Sequence, residues 1–412
     1  MGGWSEVTIG YVCKVIAGQS PDGTNYNDTG DGLPFYQGKK QFEEKYIGAP
    51  KKWTTQITRE AYAGDILMSV RAPVGPINFA TRHSCIGRGL AAIRTGEQIQ
   101  REFLFYVLLS MQNQIKGNEG AVFSSINKRQ IESISIPLPP LPKQERIVAI
   151  LDEASAAIAT ATANAEKNLA NARELFESAC ASIFSNAENE DWTSTTVEAV
   201  AKDKKGTMRT GPFGSQLLHS EFVEEGVVVL GIDNAVQNEF AWDQRRFITE
   251  EKFAELSRFE AFPGDVVITI MGTCGRCAVL PEHLPRAITS KHLCCITTDK
   301  SKCLPEYLHH YFLHHPLSLD YLEKNAKGAI MAGLNMTIIK GLPIKFPSIE
   351  EQVELVRRFD SMSNHYKLLK KVLKAKQECY TELRQSILHK AFTGELTADK
   401  KAADRTLVEA GL

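Results

Sequence analysis

The residues of this chain that could take part in chemistry are mainly basic and amide side chains in stretches rich in turn-forming residues. Arg and Lys can donate to guanine, Asn and Gln can pair with adenine, and all of them can hold phosphate oxygens. Such residues in loops predict contact with a nucleic acid. In the first half of the sequence the candidates are Tyr36, Gln37, Lys39, Lys40, Lys51, Lys52, Arg71, Arg82, Arg88, Ser124, Ser125, Asn127 and Lys128. In the second half they are Lys202, Lys204, Lys205, Arg209, Gln216, Asn234, Arg245, Arg246, Arg276, Lys291 and Lys327.

The sequence lacks the motifs that modification or translocation of DNA would need. Known adenine methyltransferases carry Asn/Asp-Pro-Pro-Tyr/Phe and a glycine loop for S-adenosylmethionine. The only Pro-Pro pair here is Pro139-Pro140, which lies between two leucines. The Gly-x4-Gly-Lys-Ser/Thr phosphate loop of a nucleotide-driven motor is missing as well. We therefore expect no catalytic residues in this chain.

One group of cysteines has a spacing close to that of a zinc site. The segment Cys274-Gly275-Arg276-Cys277 precedes His292, Cys294 and Cys295, and zinc prefers such sulfur and imidazole ligands. The first half of the chain has Val74 to Ile77 at the matching positions, where no ligand set exists. We interpret these cysteines as small core residues of strands and predict no metal site.

The elements that must position the loops are repeated within the chain. Gln144 and Asp152 recur 208 positions later as Gln352 and Asp360. An internal repeat determines the architecture before any local pattern does. The sequence therefore predicts two copies of one structural plan.

Each copy ends in a long helix without internal Pro or Gly, over residues 143–185 and 350–393. Apolar residues recur at alternating steps of four and three, as in a coiled coil. In the second helix they are Leu355, Phe359, Met362, Tyr366, Leu369, Leu373, Tyr380, Leu383 and Ile387. In the first helix they are Ile147, Leu151, Ala154, Ile158, Ala161, Ala165, Ala172, Leu175 and Ala179. Small residues on one helix against large ones on the other favour close pairing, and two separate surface helices are the alternative.

The predicted fold class is α+β, with two mixed α/β domains separated by two long helices that form an antiparallel coiled coil. The domain boundaries are a first variable domain at 1–142, a helix at 143–190, a second variable domain at 191–349, a helix at 350–396 and a tail at 397–412. Gly64-Asp65 of the first domain recurs as Gly264-Asp265 in the second. Antiparallel helices would place the domains at opposite ends, related by an approximate two-fold axis. That arrangement suits DNA with two separated sites.

Bulk properties exclude some classes of protein. The 412 residues carry a net charge of -1 from 48 basic and 49 acidic residues, which argues against a purely electrostatic nucleic-acid binder. The start of the chain does not resemble a signal peptide, and no run of 18 apolar residues exists. Nine scattered cysteines fit a reducing compartment. We expect a soluble, cytoplasmic protein that does not enter a membrane.

Together these motifs resemble the specificity (S) subunit of type I restriction–modification systems. The resemblance rests on Pro-x-Leu/Ile-x-x-Gln-x-x-Ile/Leu-Val at Pro139–Val148 and Pro347–Val356, and on Gly-Asp-Ile/Val-Leu/Val in each variable domain. It also rests on Ala391-Phe392-Thr393-Gly394-Glu395-Leu396 at the end of the second helix. The resemblance covers essentially the whole length in the family's domain order.

The resemblance implies a DNA specificity subunit that is not an enzyme by itself. Each variable domain would be a target-recognition domain for one half of a split DNA sequence. The helices would set the spacing and dock two methyltransferase (M) subunits, through which restriction (R) subunits join. S-adenosylmethionine, ATP and Mg are then expected on the partner subunits, with no cofactor on this chain. The alternative hypothesis is a coiled-coil scaffold or adaptor whose end domains bind peptides.

Overall fold

The computed structural model of the chain describes residues 4–112, 114–115, 125–242, 245–326 and 333–397. It contains two compact units, the first made of Met1–Glu166 with Lys374–Leu412 and the second of Lys167–Leu373. Each of the two long helices contributes one part to the first unit and one part to the second.

The strands are short. In the first unit they are β1 (Ser5–Thr8), β2 (Cys13–Ala17), β3 (Tyr26–Asn27), β4 (Leu33–Tyr36), β5 (Trp53–Thr54), β6 (Glu60–Ala61), β7 (Ile66–Ser69), β8 (Ile77–Phe79), β9 (Ser84–Ile86), β10 (Leu90–Thr95) and β11 (Ser135–Leu138). In the second unit they are β12 (Thr193–Thr196), β13 (Met208–Thr210), β14 (Val227–Leu230), β15 (Phe247–Ile248), β16 (Glu260–Ala261), β17 (Val266–Thr269), β18 (Cys277–Val279), β19 (Ala287–Thr289), β20 (Leu293–Ile296) and β21 (Pro343–Phe346).

Two helices are far longer than the rest. In chain order the helices are α1 (Ile9–Val12), α2 (Arg101–Met111), α3 (Lys128–Glu132), α4 (Leu141–Ala187), α5 (Val197–Val200), α6 (Glu250–Leu256), α7 (Pro305–His314), α8 (Pro316–Ala326), α9 (Met336–Lys340) and α10 (Ile349–Thr393). The last one ends where predicted, because Gly394 follows it with a φ of 86°. Within the described ranges no helix combines the length and apolarity of a membrane span.

Both units repeat one sheet topology, as the sequence repeat predicts. The first has a four-stranded antiparallel sheet in the order β2-β10-β7-β8, and the second has the order β13-β20-β17-β18. A second sheet in each unit contains one parallel pair, β4 with β9 and β14 with β19. A two-stranded ribbon, β1-β11 or β12-β21, precedes each long helix. The mixed α/β character of both domains is confirmed.

The two long helices run antiparallel within each unit. In the second unit Phe176 of α4 stacks on Tyr366 of α10, and Phe184 packs on Phe359, each pair with ring centres 4.7 Å apart. Residue numbers therefore rise along one helix while they fall along the other. In the first unit the start of α4 and the end of α10 share one core, through Leu151 and Ala391 among others. The predicted antiparallel coiled coil is confirmed.

The packed stripe on these helices differs in part from the predicted one. Phe359 and Leu373 are buried as expected, but Leu175, Leu369 and Leu383 are 70%, 45% and 44% exposed. The neighbouring aromatic Phe176 packs in place of Leu175, because its ring stacks on the opposite helix. In a heptad the next packed residue can lie either three or four positions further along the helix. Packing against the partner helix determines which of the two is buried.

A buried glutamine joins each long helix to its domain in the same way. Gln144 Oε1 accepts a hydrogen bond from Gln100 N (2.8 Å), and its Nε2 donates to Gln98 O and Pro139 O. Gln352 repeats all three bonds, with Leu304 N (2.9 Å), Lys302 O and Pro347 O. Both glutamines are fully buried. Each side-chain amide therefore accepts from a backbone N–H that has no helical partner at the start of the domain helix (α2 or α7). It also fixes where the long helix begins.

The aspartate of each Gly-Asp motif is buried against an arginine. Asp65 accepts two hydrogen bonds from Arg94 of β10, at 2.9 and 2.7 Å. Asp265 pairs with Arg209 of β13 and also accepts from Thr297 Oγ1 at 2.6 Å. The preceding Gly64 and Gly264 have φ of 93° and 78°, which a side chain would strain. The motif is thus a structural turn with a neutralised carboxylate.

A histidine cluster lies between α7 and the long helices of the second unit. It consists of His309, His310, His314 and His315. His310 stacks on Phe359 with ring centres 4.7 Å apart, and His314 meets the edge of Phe176. Burial, reinforced by neighbouring His310, lowers the pKa of His309 to about 3 and that of His314 to about 4. These two rings are therefore neutral at physiological pH.

Candidate nucleic-acid interface

In the first unit, loops from both sheets meet at one end of the strands. Four backbone hydrogen bonds join them: Gly18 N to Leu90 O (2.9 Å), Val70 N to Gly89 O (3.0 Å), Gly89 N to Gln37 O (3.1 Å) and Ile126 N to Val70 O (3.1 Å). Gln37, Arg71, Arg88 and Ser125 are exposed in these loops. We call these four residues the first loop cluster. Lys39 and Lys40, also exposed, follow directly after Gln37-Gly38.

The second unit brings its loops together at the equivalent end of its strands. The bonds are Gly211 N to Ser290 O (3.3 Å), Ile270 N to His292 O (2.8 Å), Ser290 N to Leu230 O (2.8 Å) and Val229 N to Arg246 O (2.8 Å). The second loop cluster consists of Gln216, Arg246, Arg276 and Lys291. Arg246 donates to Asp233 at 2.9 Å, and Gln216 accepts from Phe213 N at 3.0 Å.

The second loop cluster has a positive electrostatic environment. His292 lies partly buried in it, and its pKa is lowered by burial and by the charges of Lys291 and Arg246. The imidazole is therefore neutral at physiological pH. Such cations suit phosphate and guanine oxygens.

Several other predicted residues lie at different strand ends, whereas Arg245 directly precedes Arg246 of the second loop cluster. Lys202, Lys204 and Lys205 are at the opposite end of β13, where Lys202 N bonds Thr297 O beyond the end of β20. Arg82 precedes β9, whereas Arg88 follows it. The guanidinium of Arg245 lies 5.0 Å from the ring centre of Trp242.

Three predicted lysines are exposed on other surfaces. The ammonium of Lys52 is 6.0 Å from the ring centre of Tyr26, and exposed Lys51 precedes it before β5. Lys128 forms an ion pair of 3.5 Å with Glu132 along α3. These lysines form a separate set from the first loop cluster. Ser124 and Lys327 lie outside the described residues.

Four predicted residues make internal hydrogen bonds, which differs from the expectation that they face DNA. Tyr36 is buried and donates its hydroxyl hydrogen to Gly48 O at 3.0 Å. Arg209 is buried against Asp265. Buried Asn234 accepts from Gly231 N and donates to Ala241 O, both at 2.8 Å. Exposed Asn127 caps α3 by accepting from Gln130 N at 3.0 Å.

Three of the four cysteines weighed as a zinc site lie in the sheet of the second unit, and Cys274 lies in the hairpin between β17 and β18. Cys277, Cys294 and Cys295 are completely buried on β18 and β20. Burial raises the pKa of Cys294 to about 12, as expected for a small residue of the sheet core. In the part of the chain that the structure describes, no three His, Cys, Asp or Glu side chains are arranged to hold a metal ion.

Sequence reasoning missed apolar and polar members of both loop groups. Phe213 and Met271 are exposed beside the second loop cluster, and Ser20 Oγ accepts from Arg88 N at 3.2 Å beside the first. A search for basic and amide side chains does not find an apolar residue. The signal for Phe213 is its place in Gly211-Pro212-Phe213-Gly214, a turn that presents its central side chain.

Comparison with known proteins identifies the family. Residues 1–169 and 189–376 match the family model for the type I restriction modification DNA specificity domain. The chain belongs to this family. The resemblance stated from the sequence motifs is therefore confirmed, and both variable domains fall within matched segments.

Several relatives of the type I DNA specificity family match this chain. A protein described as the MjaX specificity subunit of a type I restriction enzyme, from Methanocaldococcus jannaschii, is 44% identical over 148 residues, which is 35% of either chain. The EcoBI specificity subunit of Escherichia coli is 22% identical over 425 residues, covering 98% of this chain and 89% of that one. These relatives are specificity subunits by name.

Solved structures of the family share the fold. A chain from a study of complex assembly and conformational transition of the type I R-M system has a TM-score of 0.77 at 20% identity, covering 95% of this chain and 98% of that one. The HsdS subunit from Thermoanaerobacter tengcongensis has a TM-score of 0.55 at 18% identity, covering 95% and 97%. At these identities the likeness establishes the fold.

Proposed function

We propose that this chain is the non-catalytic sequence-specificity subunit of a type I restriction–modification complex. Each loop cluster would read one half of a split DNA target. The observation that carries this proposal is a repeated scaffold with different loops at the same end of its strands. The buried glutamine bonds and the sheet order are the same in both units. The loops differ: the positions of Arg71 and Arg88 in the first unit are occupied by Met271 and Lys291 in the second.

The exposed side chains of the two clusters divide into two kinds of contact. Arg71, Arg88 and Arg276 can reach guanine in the major groove with two hydrogen bonds. Gln37 can pair with adenine, and Lys291 would hold a backbone phosphate without reading sequence. Two clusters with different members would therefore specify two different half-sites.

The partner subunits would supply the chemistry. We propose that two M subunits dock on α4 and α10, use S-adenosylmethionine and methylate adenine at N6 after flipping it from the duplex. R subunits would join through them and bring ATP- and Mg-dependent translocation and cleavage. The complex would work in the cytoplasm, where the genome and entering DNA are accessible.

Footprinting of the chain with its M partner tests the bipartite target. We expect two short protected sequences separated by a gap of fixed length, and a changed gap should abolish tight binding. A continuous target that tolerates any gap contradicts the proposal. DNA affinity that ignores sequence would instead favour the adaptor hypothesis.

Exchange of one domain tests the division of labour. Residues 191–343 replaced by those of another family member should change one half of the recognised sequence and leave the other half as before. A matched exchange within the first 136 residues should change the opposite half. If either exchange altered both halves, the units would not read independently.

A further inference from the structure

An exposed phenylalanine stands at the second loop cluster. Phe213 follows β13 and is 51% exposed. Phe184, Phe312 and Phe359 of the same unit are buried in its core, whereas Phe262, before β17, is 47% exposed. An exposed phenylalanine beside cationic side chains can make an apolar contact with a base.

The loop that carries Phe213 is held firmly at its base. Gly211 N donates to Ser290 O, and a Cβ at Gly211 would collide with the carbonyl oxygen of Thr289. Phe213 N donates to the side chain of Gln216 at 3.0 Å. Only glycine permits this approach of the loop to the end of β19, so the path of the backbone at the base of the loop is constrained.

The segments that meet at the start of β20 carry cations and a second apolar side chain. Met271 is 40% exposed, and its neighbour Ile270 bonds the backbone of His292, next to Lys291. Exposed Arg276 closes the same hairpin between β17 and β18. The lysine and arginine can hold phosphates on either side of an apolar contact to a base.

The first unit has different chemistry at the corresponding place. Gly18 bonds Leu90 O and approaches Gly87 as Gly211 approaches Thr289, but Gln19 and Ser20 follow it. The glycine belongs to the shared scaffold, whereas the residues after it differ between the units. Different side chains after a glycine that both units share are expected if these side chains determine which DNA sequence is bound.

We propose that Phe213, supported by Met271, contacts the 5-methyl group of a thymine in the half-site read by the second unit. Apolar contact with this methyl group is one of the ways in which the major groove is read. The inference rests on the proposed function and names one specificity residue within it.

The test uses the full chain with its M partner and duplexes in which single thymines of that half-site are replaced by deoxyuridine. At one position the loss of the methyl group should weaken binding about fourfold, the factor expected for one buried methyl-sized group. The Phe213→Ala complex should bind thymine and deoxyuridine equally there and keep its selectivity for the other half-site. The control Trp242→Ala removes an exposed aromatic outside the cluster and should retain the fourfold preference.

The outcomes separate this inference from the proposed function. A wild-type complex without sequence preference refutes both. A sequence-specific complex refutes the inference alone if its half-site has no thymine, if no methyl group matters, or if Phe213→Ala remains equally sensitive. Increased 2-aminopurine fluorescence with wild type but not with Phe213→Ala would indicate insertion between bases and would overturn the methyl contact.

Discussion

Acid should unfold the second unit before the first because of the histidine cluster. The pKa values of His309 and His314, about 3 and about 4 in the folded chain, lie below the ordinary value of 6.5. The unfolded chain therefore takes up protons first as pH falls. The contribution of the neutral rings is fully present above pH 6.5 and is lost progressively below it, down to the folded values.

The loss of stability follows from the difference between the folded and unfolded pKa values of the two histidines. At pH 5 each of the two histidines should lower the free energy of unfolding by about 2 kcal/mol, and both together by up to about 4 kcal/mol. The total stability of a domain is about 5–15 kcal/mol, so the loss is easily measured. Ordinary carboxylates are largely ionised at pH 5, and the hydrogen bond from Lys345 holds the pKa of Glu188, which lies beside His315, below its usual value.

Urea unfolding at pH 7.5 and pH 5.0 measures this loss. Replacing Trp4 and Trp53 by Phe leaves Trp192 and Trp242 to report on the second unit. The variant His309→Phe introduces the residue found as Phe105 at the matching position of α2, and should recover about 2 kcal/mol at pH 5. His365→Gln removes an exposed histidine of α10 as the control. The reasoning is refuted if the transition does not depend on pH, or if His309→Phe loses stability as steeply as wild type.

Three further predictions concern the scaffold and the loops. Gln352→Leu should destabilise the second unit by about 2–3 kcal/mol in urea unfolding, since Leu304 N loses its acceptor, and exposed Gln385→Leu should change stability by less than about 0.5 kcal/mol. Asp265→Asn should cost about 3–5 kcal/mol because it leaves buried Arg209 without its partner charge. Asp65→Asn should cost less, since 35% of the Arg94 side chain is exposed, and equal losses would contradict this account. Lys291→Ala and Arg88→Ala should each weaken DNA binding in gel-shift titrations, with Arg88→Ala relaxing specificity in the first half-site alone by about 1–3 kcal/mol. An effect of Arg88→Ala on both half-sites would show that the clusters are not independent.

The internal repeat allowed the fold to be predicted from the sequence. Gln144 and Gln352, found only as a spacing, form the same three hydrogen bonds in both units. The choice of packed residues on the helices was less accessible, since Leu175 satisfies the heptad as well as Phe176 does. That choice depends on the ring of Tyr366, which is 190 residues away in the chain.

The candidate interface was only partly accessible, because burial of a loop residue depends on distant partners. Arg209 has the composition of a DNA contact, but an aspartate 56 residues away accepts its hydrogen bond inside the protein. Arg88 and Lys291 have the same composition and remain at the surface. Sequence distinguishes the chemical types of such residues, whereas long-range backbone bonds decide which of them reach solvent.

The buried carboxylate has a consequence for recombination between the two gene halves. Asp65 receives its arginine from β10, whereas Asp265 receives one from β13. Thr297, directly after β20, corresponds to Arg94 near the end of β10 and donates to Asp265. A crossover inside a domain, between these strands, would give the carboxylate either two guanidinium groups or none. A crossover near Gln144, where the first domain ends and the long helix begins, leaves each aspartate with the arginine of its own domain. Viable hybrids should therefore inherit whole domains, so that new DNA specificities arise by exchange of complete variable domains.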